Sequence, residues 1–261
     1  MKRRLAAVFA HPDDDTFNLG GSVLGHGPDA LELTLVVATS GEAGLIFESS
    51  LATRDDLGEV REAEERAALA AMGFGGASVR FLRHPDGGLA GVDREPLVEE
   101  VAAVLREARP EVVVTFGPEG MTGHEDHIAI GEAATEAFHR VRREAPPGSL
   151  LRLCYTALPA SVIEGYREYR RSIGEDPGPP DAPFAPRGVP DETLGITADC
   201  SSVVDRKIAA LREHRTQADE LQSLPEEILP AAFGVESFVI AWPEREPGPD
   251  RLADLFEGLP A

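Results

Sequence analysis

The sequence predicts an α/β fold, a three-layer sandwich in which helices cover both faces of a mostly parallel sheet. Short apolar runs rich in β-branched residues alternate with segments of helical periodicity, which is the pattern of βαβ units. Hydrophobic residues make up 42% of the 261 residues, enough for one large buried core. We therefore expect a single domain over residues 1–261, with its core in residues 1–157 and a C-terminal extension over residues 158–261.

The predicted elements follow in a regular order along the chain. Strands are expected at residues 5–10, 31–39, 79–82, 112–116 and 151–156. Helices are expected at residues 19–24, 55–72, 94–109 and 127–142, and Asp126 is available as the N-cap of the last. Residues 174–190 are too rich in Pro and Gly for regular structure and predict a surface loop, either a lid or an inert excursion. A helix at 203–217 and a strand at 238–242 follow.

The charge and composition of the chain limit the kinds of molecule that it is expected to bind. The 46 acidic against 25 basic residues leave a formal charge of −21, which opposes binding to nucleic acid and to anionic membranes and favours a neutral or cationic small substrate. The sequence contains no apolar run of about 18 residues and no signal-peptide pattern, so we expect a cytoplasmic protein without membrane insertion. Two cysteines exclude a disulfide framework and a Cys-rich zinc site. A homo-oligomer is left open.

Two histidine–carboxylate clusters follow strands of the predicted sheet. His11-Pro12-Asp13-Asp14 comes directly after the first strand, and His124-Glu125-Asp126-His127 comes after the fourth across a Gly/Pro loop. Because ligands of open parallel sheets bind beyond the carboxyl ends of the strands, the two clusters can share one pocket. Asp86, in a turn after the third strand, could face the same pocket.

The residue types in these clusters suit metal-dependent hydrolysis. His11, Asp14 and His127 could supply the two imidazoles and one carboxylate with which catalytic zinc is often held. A metal there would bring the pKa of a bound water from 15.7 towards ~7 and polarise a carbonyl.

Hydrolysis of an amide also needs a base and an acid that do not hold the metal. Asp13, beside the ligand Asp14, can take the proton of the attacking water. His124 can protonate the leaving amine, with the Asp126 or Glu125 carboxylate orienting it and raising its pKa.

The combination resembles the PIG-L/LmbE family of zinc-dependent de-N-acetylases. The strand–AHPDD element of that family matches residues 10–14, and its HxDH element matches residues 124–127. Weaker similarities extend along the chain: residues 39–44, Arg61-x-x-Glu64, residues 85–87, Lys207 and His214-x-x-Gln217. The resemblance implies a Rossmann-like fold, His11, Asp14 and His127 as zinc ligands, Asp13 as base and His124 as acid. It also implies that His214 reaches the site and helps to hold the substrate or its oxyanion.

The sequence departs from the family pattern at two positions. Many relatives have Glu where this chain has Asp15, a conservative change outside the ligand set. Some thiol-sugar members carry an aromatic hydroxyl at the position of Thr122, so a tyrosine-assisted oxyanion is not expected here. Because metal choice depends on availability as well as ligand type, Fe²⁺, Mn²⁺ or Co²⁺ could replace Zn²⁺.

The leading functional hypothesis is removal of an N-acetyl or other N-acyl group from a small amino-sugar conjugate. An amidase acting on a larger thiol-sugar S-conjugate or on an acylated antibiotic sugar is an alternative within enzymes. A non-catalytic sugar-binding module is disfavoured because it would not need Asp13 or His124. A nucleotide-binding α/β protein is disfavoured because the chain lacks both G-x-G-x-x-G and a P-loop lysine.

Overall fold

The computed structural model describes residues 2–218, 221 and 224–260. The strands in this part of the chain are β1 (Arg3–Phe9), β2 (Leu31–Thr39), β3 (Ser78–His84), β4 (Val112–Phe116), β5 (Arg152–Pro159), β6 (Gly188–Val189), β7 (Ile196–Asp199) and β8 (Val235–Trp242). The helices are α1 (Asp14–His26), α2 (Leu57–Ala71), α3 (Arg94–Ala108), α4 (Gly120–Gly123), α5 (Glu125–Arg142), α6 (Ala160–Ser172), α7 (Val204–Leu211) and α8 (Leu229–Phe233). Helix α4 is a single turn, with Met121 at φ 60°.

One sheet in the order β3-β2-β1-β4-β5-β8-β7 runs through the molecule, and β6 pairs with β5. Strands β1 to β5 are parallel, whereas β8 is antiparallel to both β5 and β7. Helices α3 and α5 pack together, and a second group is formed by α1, α2 and α7. The observed fold is therefore the α/β sandwich that the sequence predicts, with β7 and β8 of the C-terminal part extending the same sheet.

The central strands lie in the core because their side chains are apolar on both faces. Every residue of β4 is buried, as are residues 5–9 of β1. Strand β3, at the sheet edge, alternates between exposed and partly buried positions. Strands that are covered on both faces have continuous apolar sequences, so β1 and β4 can be recognised in the sequence. Because β1 and β4 are neighbouring parallel strands, their carboxyl ends lie side by side at one edge of the sheet.

Several predicted boundaries are wrong. The first helix begins at Asp14, five residues before the predicted start, so the AHPDD element runs directly into it. The predicted helix at 203–217 stops at Leu211, and His214 follows in a bend with ψ 60°. Helix α6 and strand β7 were not predicted, and residues 188–189 of the expected loop pair with β5.

Among the described residues, no helix combines the length and the apolar character needed to span a bilayer.

Candidate active site and metal centre

The AHPDD element turns sharply where β1 ends and α1 begins. Asp14 Oδ2 accepts hydrogen bonds from the backbone N–H groups of His11 (2.8 Å) and Ala10 (3.2 Å), so its carboxylate folds back over the strand end. Burial opposes a charge on Asp14, but the imidazoles of His127 and His11 and the backbone bond keep its pKa below the ordinary range. The pocket therefore holds an ionised carboxylate at its base.

The second cluster is positioned by α5 and by the end of β4. His127 lies in the first turn of α5, and its ring stacks on Phe116 with centroids 4.0 Å apart and planes 3° apart. Its Nδ1 lies 3.0 Å from the carbonyl oxygen of Gly120, which places the ring proton on Nδ1 and leaves a lone pair on Nε2. Burial and the nearby His11 lower the pKa of His127, whereas Asp14 raises it. The net pKa is lowered, which favours the neutral ring.

Three predicted ligand groups converge with spacing suited to a metal ion. His11 Nδ1 lies 3.2 Å from His127 Nε2, and oxygens of Asp14 lie 3.5 Å from each of these nitrogens. Ligand atoms about 2.0–2.1 Å from a tetrahedral ion are about 3.3 Å apart, so the donor set fits a single small cation. If His127 carries its ring proton on Nδ1 and His11 carries its ring proton on Nε2 alone, two nitrogen lone pairs and a carboxylate would face one another, an arrangement that attracts a cation.

His11 is surrounded by carboxylates on its other side. Its Nε2 lies 3.1 Å from Asp86 Oδ1 and 3.4 Å from Asp126 Oδ2. Burial by itself would lower the pKa of His11, but Asp126, Asp14 and Asp86 together raise it well above its ordinary range. A proton on Nε2 facing these carboxylates would leave Nδ1 free to bind metal, the arrangement typical of metal-binding histidines. Asp86 thus lies in the pocket, as its position after β3 suggested.

Ligand-type atoms in the described residues form two triads with all separations within 4.8 Å. These are His11, His124 and His127, and His11, Asp86 and Asp126. The triads bring the predicted ligands His11 and His127 together with His124, Asp126 and Asp86, whereas the predicted ligand Asp14 belongs to neither triad and contacts His11 and His127 at 3.5 Å. His11 is common to both triads because its two ring nitrogens face opposite sides of the pocket.

Asp126 differs from its predicted role. Helix α5 begins at Glu125, and its N-cap is His124, whose Nδ1 accepts the backbone N–H of Asp126 at 3.1 Å. The Asp126 carboxylate is fully buried and accepts instead from the backbone N–H groups of Gly87 (2.7 Å) and Leu89 (2.9 Å). Asp126 therefore fastens the turn after β3 to α5 and borders His11.

Asp126 does favour the protonated ring of His124 as predicted, but the net pKa of His124 is lowered. Burial and the neighbouring His11 lower its pKa, and the attraction of Asp126, Asp14 and Asp86 offsets this only in part. The Asp126 N–H at Nδ1 leaves Nε2 as the ring atom available to a ligand. The His124 ring centroid is 4.8 Å from that of His11 and 4.9 Å from that of His127, so the ring borders the metal centre.

Asp13 is clamped by two residues of α2. It has φ 107°, which is unusual for a residue with a side chain and costs about 1–3 kcal/mol. Arg61 Nη2 donates to Asp13 Oδ2 at 2.9 Å and to the carbonyl oxygen of Pro12 at 2.7 Å, and Glu65 Oε2 accepts the Asp13 N–H at 3.0 Å. Arg61 and Glu65 are four residues apart and so lie on one face of the helix.

Glu65 is a functional candidate that sequence reasoning missed. It is fully buried, and burial beside Asp15 raises its pKa well above the ordinary range. Burial likewise raises the pKa of Asp15 to about 6. The two carboxyls therefore lie together at the back of the Asp13 turn. Its burial was not predicted, because a glutamate that follows Glu64 on an amphipathic helix is normally expected to be exposed.

His214 lies beneath the first turn of α1. It is 3% exposed, and its Nε2 is 3.2 Å from the Thr16 hydroxyl. Burial lowers its pKa to about 3, so the ring is neutral. The next residues are also tied to α2, because Glu64 accepts from both the N–H (2.9 Å) and the hydroxyl (2.7 Å) of Thr216. A direct contact of His214 with substrate stays a prediction.

Comparisons with known proteins identify the family of this chain. The family model for PIG-L, GlcNAc-PI de-N-acetylase, matches residues 6–138, which include both clusters. A 1D-myo-inositol 2-acetamido-2-deoxy-α-D-glucopyranoside deacetylase from Streptomyces scabiei is 33% identical over 98% of this chain and 90% of that protein.

Solved structures share the fold at lower identity. The N,N′-diacetylchitobiose deacetylase from Pyrococcus horikoshii has a TM-score of 0.62 at 21% identity, covering 91% of this chain and 83% of that one. The 4-carboxy-2-hydroxymuconate hydratase GalB from Pseudomonas putida has the same TM-score at 17% identity, covering 95% and 100%. Because this fold carries more than one chemistry, family membership depends on the sequence matches and not on the fold. On those matches, the chain belongs to the PIG-L family of de-N-acetylases.

Proposed function

We propose that the protein is a zinc-dependent hydrolase that removes an N-acetyl group from a small amino-sugar conjugate. The observation that carries the proposal is the convergence of His11 Nδ1, His127 Nε2 and the Asp14 carboxylate within 3.2–3.5 Å of one another, with Asp13 on the same turn. The inositol glycoside named for the curated relative supports the substrate class. Two imidazoles and one carboxylate are a common zinc set, and Fe²⁺, Mn²⁺ or Co²⁺ could occupy the same ligands.

His11, Asp14 and His127 would hold the metal. When bound, a divalent ion supplies Lewis acidity that polarises the amide carbonyl and acidifies water. The neutral His127 and ionised Asp14 have the protonation states that metal ligands require. Asp86 and Asp126 would keep the His11 proton on Nε2 and so orient its Nδ1 towards the ion.

Asp13 would act as the general base. Its carboxylate, held by Arg61, takes the proton from the water that attacks the amide carbon, forming a C–O bond. The clamp from α2 matters because a base must be within hydrogen-bond reach of the proton that it removes. The strained φ of Asp13 is consistent with a side chain whose direction is imposed by its surroundings.

His124 would deliver a proton to the departing nitrogen as the C–N bond breaks, which yields acetate and a free amine. Its Nε2 is the atom for this step, because Nδ1 is occupied by the Asp126 N–H. The pKa of His124 in this structure is below its ordinary range, so protonation of the ring for this step would depend on contacts with the bound substrate. His214 would support the site from beneath through Thr16.

The test is release of acetate from a panel of N-acetylglucosamine conjugates by zinc-loaded protein, compared with an Asp13→Asn variant. Asn keeps the shape but cannot accept the proton, and a general base contributes about 10²–10⁴-fold. We expect turnover to fall by that factor while the metal content is unchanged. Release of acetate at equal rates by both proteins would contradict the assignment of Asp13, and loss of zinc only in Asp13→Asn and not in Asp14→Asn would reverse the two roles.

A further inference from the structure

The Pro-rich stretch 174–190 returns to the active site at its C-terminal end. The backbone N–H of Arg187 donates to the carbonyl oxygen of Met121 at 2.6 Å, one turn before the second cluster. Residues 188–189 then pair as β6 with Leu158 and Pro159 at the end of β5. The segment around Arg187 is therefore fastened at the carboxyl edge of the sheet, beside His124.

Phe184, in this segment, presents an exposed phenyl ring to the site. Its ring is 5.2 Å from the His124 ring, centroid to centroid, and the residue is 65% exposed. It also has φ 61°, a left-handed conformation that disfavours residues with a side chain. The exposed ring of Phe184 therefore stands next to a proposed catalytic residue, in a place where a bound ligand could pack against it.

Arg187 lies against the backbone that immediately precedes His124. A Cβ added at Gly123 would be 2.0 Å from Arg187 Cζ and 2.2 Å from its Nη2, so the guanidinium lies directly against the Gly123 backbone. The residues described in the structure provide no hydrogen-bond acceptor or carboxylate for this guanidinium. Arg61, by contrast, is occupied by Asp13, Pro12 and Gly41.

We propose that Phe184 and Arg187 form an aglycone subsite that takes amino-sugar conjugates with an anionic aglycone. His124 is assigned to the leaving amine, so residues next to it face the sugar and its aglycone and not the acyl group; this step rests on the proposed function. Phe184 packs on an apolar face of the conjugate, and Arg187 donates to a carboxylate or phosphate. The local cation revises the expectation of a neutral or cationic substrate that follows from the net charge of −21.

The experiment compares three glycosides of N-acetylglucosamine that differ only in the aglycone: phenyl, 4-carboxyphenyl and 4-phosphonooxyphenyl. The ratio of kcat/KM for each anionic glycoside to that for the phenyl glycoside is measured for wild type, Arg187→Ala and Phe184→Ala. The control is Arg80→Ala, which removes a half-exposed arginine on β3. Binding of the corresponding deacetylated glycosides, measured by calorimetry, gives the same comparison without turnover.

We expect wild type to prefer an anionic glycoside by about 10- to 100-fold, the usual worth of a hydrogen bond to a charged group. Arg187→Ala should bring this ratio close to one, Phe184→Ala should lower kcat/KM for all three by about 2- to 10-fold, and Arg80→Ala should keep the wild-type ratio. Preference for only the carboxylate or only the phosphate glycoside also supports the subsite and shows which anion it binds better.

A wild-type ratio near one, or a ratio unchanged in Arg187→Ala, would overturn the anionic subsite even if every glycoside is deacetylated. If none is deacetylated, the proposed reaction fails, and the ratio of binding constants for the deacetylated glycosides decides the subsite by itself.

Discussion

Replacing Arg61 by Met should destabilise the protein and slow the reaction without removing the metal. Arg61 is 4% exposed and its guanidinium spans three acceptors, the carbonyl oxygens of Gly41 (2.9 Å) and Pro12 (2.7 Å) and the carboxylate of Asp13 (2.9 Å). Met fills much of the volume of the side chain but offers no donor. The change therefore tests the hydrogen bonds more than the packing.

The expected magnitude follows from burial. Removing one partner of a fully buried ion pair costs about 3–5 kcal/mol. The side chain of Asp13 keeps 15% of its surface exposed, so water can replace part of the lost bond. The two carbonyl oxygens lose a charged donor as well, and we expect the free energy of unfolding to fall by about 3 kcal/mol. The released Asp13 should lower kcat by about 10²-fold, within the range that a general base contributes.

Urea unfolding in the presence of a chelator measures the stability of the metal-free protein. Zinc analysis measures whether the metal is retained, and kcat measures the loss of activity. Arg61→Lys keeps a charge but loses the planar fork, so its values should lie between those of wild type and Arg61→Met. Arg54→Met is the matched control, because Arg54 is exposed and its hydrogen bonds to described residues go to the carbonyl oxygens of Glu42 and Gly44; it should cost less than about 1 kcal/mol. A loss below 1 kcal/mol in Arg61→Met, with kcat close to wild type, would refute the clamp.

Three further outcomes are expected. His127→Ala should weaken zinc binding more than 100-fold by calorimetric titration, because two ligands cannot close the coordination shell, whereas His139→Ala on the same helix should not change it. Glu65→Leu should lower kcat by about 10-fold with metal retained, and Glu65→Gln should restore most of it because an amide oxygen still accepts the Asp13 N–H; equal rates in the two variants would contradict this. The folded-state pKa of His214, about 3, is below its unfolded value of about 6.5, so its contribution to stability is present above about pH 6.5 and is lost as the pH falls towards 3. The free energy of unfolding is measured against pH in the presence of a chelator. Between about pH 6 and pH 4, His214→Gln should reduce the slope by up to about 1.4 kcal/mol per pH unit. An unchanged slope would show that this ring is not buried in its neutral form.

The local sequence predicted the central strands of the fold and the candidate metal ligands. Strands β1 and β4 are buried on both faces, so their apolar runs are continuous in the sequence, and the polar clusters that follow them, the second after a short loop, are expected at the same edge of a parallel sheet. Backbone connectivity alone therefore predicted that His11, Asp14 and His127 meet. The start of α1 was misplaced because Asp14 and Asp15 look like a solvated turn, and only their burial in the tertiary structure makes them the first turn of a helix.

The residues that orient these side chains come from distant segments of the chain, so the local sequence did not predict them. Three contacts join residues that lie 39 to 60 positions apart in the sequence: Glu65 with the Asp13 turn, the Asp126 carboxylate with the turn after β3, and Phe184 with His124. Periodicity and spacing describe what one element exposes and say nothing about which element covers it. The sequence by itself thus predicted the fold class and the candidate metal ligands. Tertiary packing decided what holds Asp13, which atom of His124 is available and what borders the pocket, because these depend on the directions of side chains across packed elements.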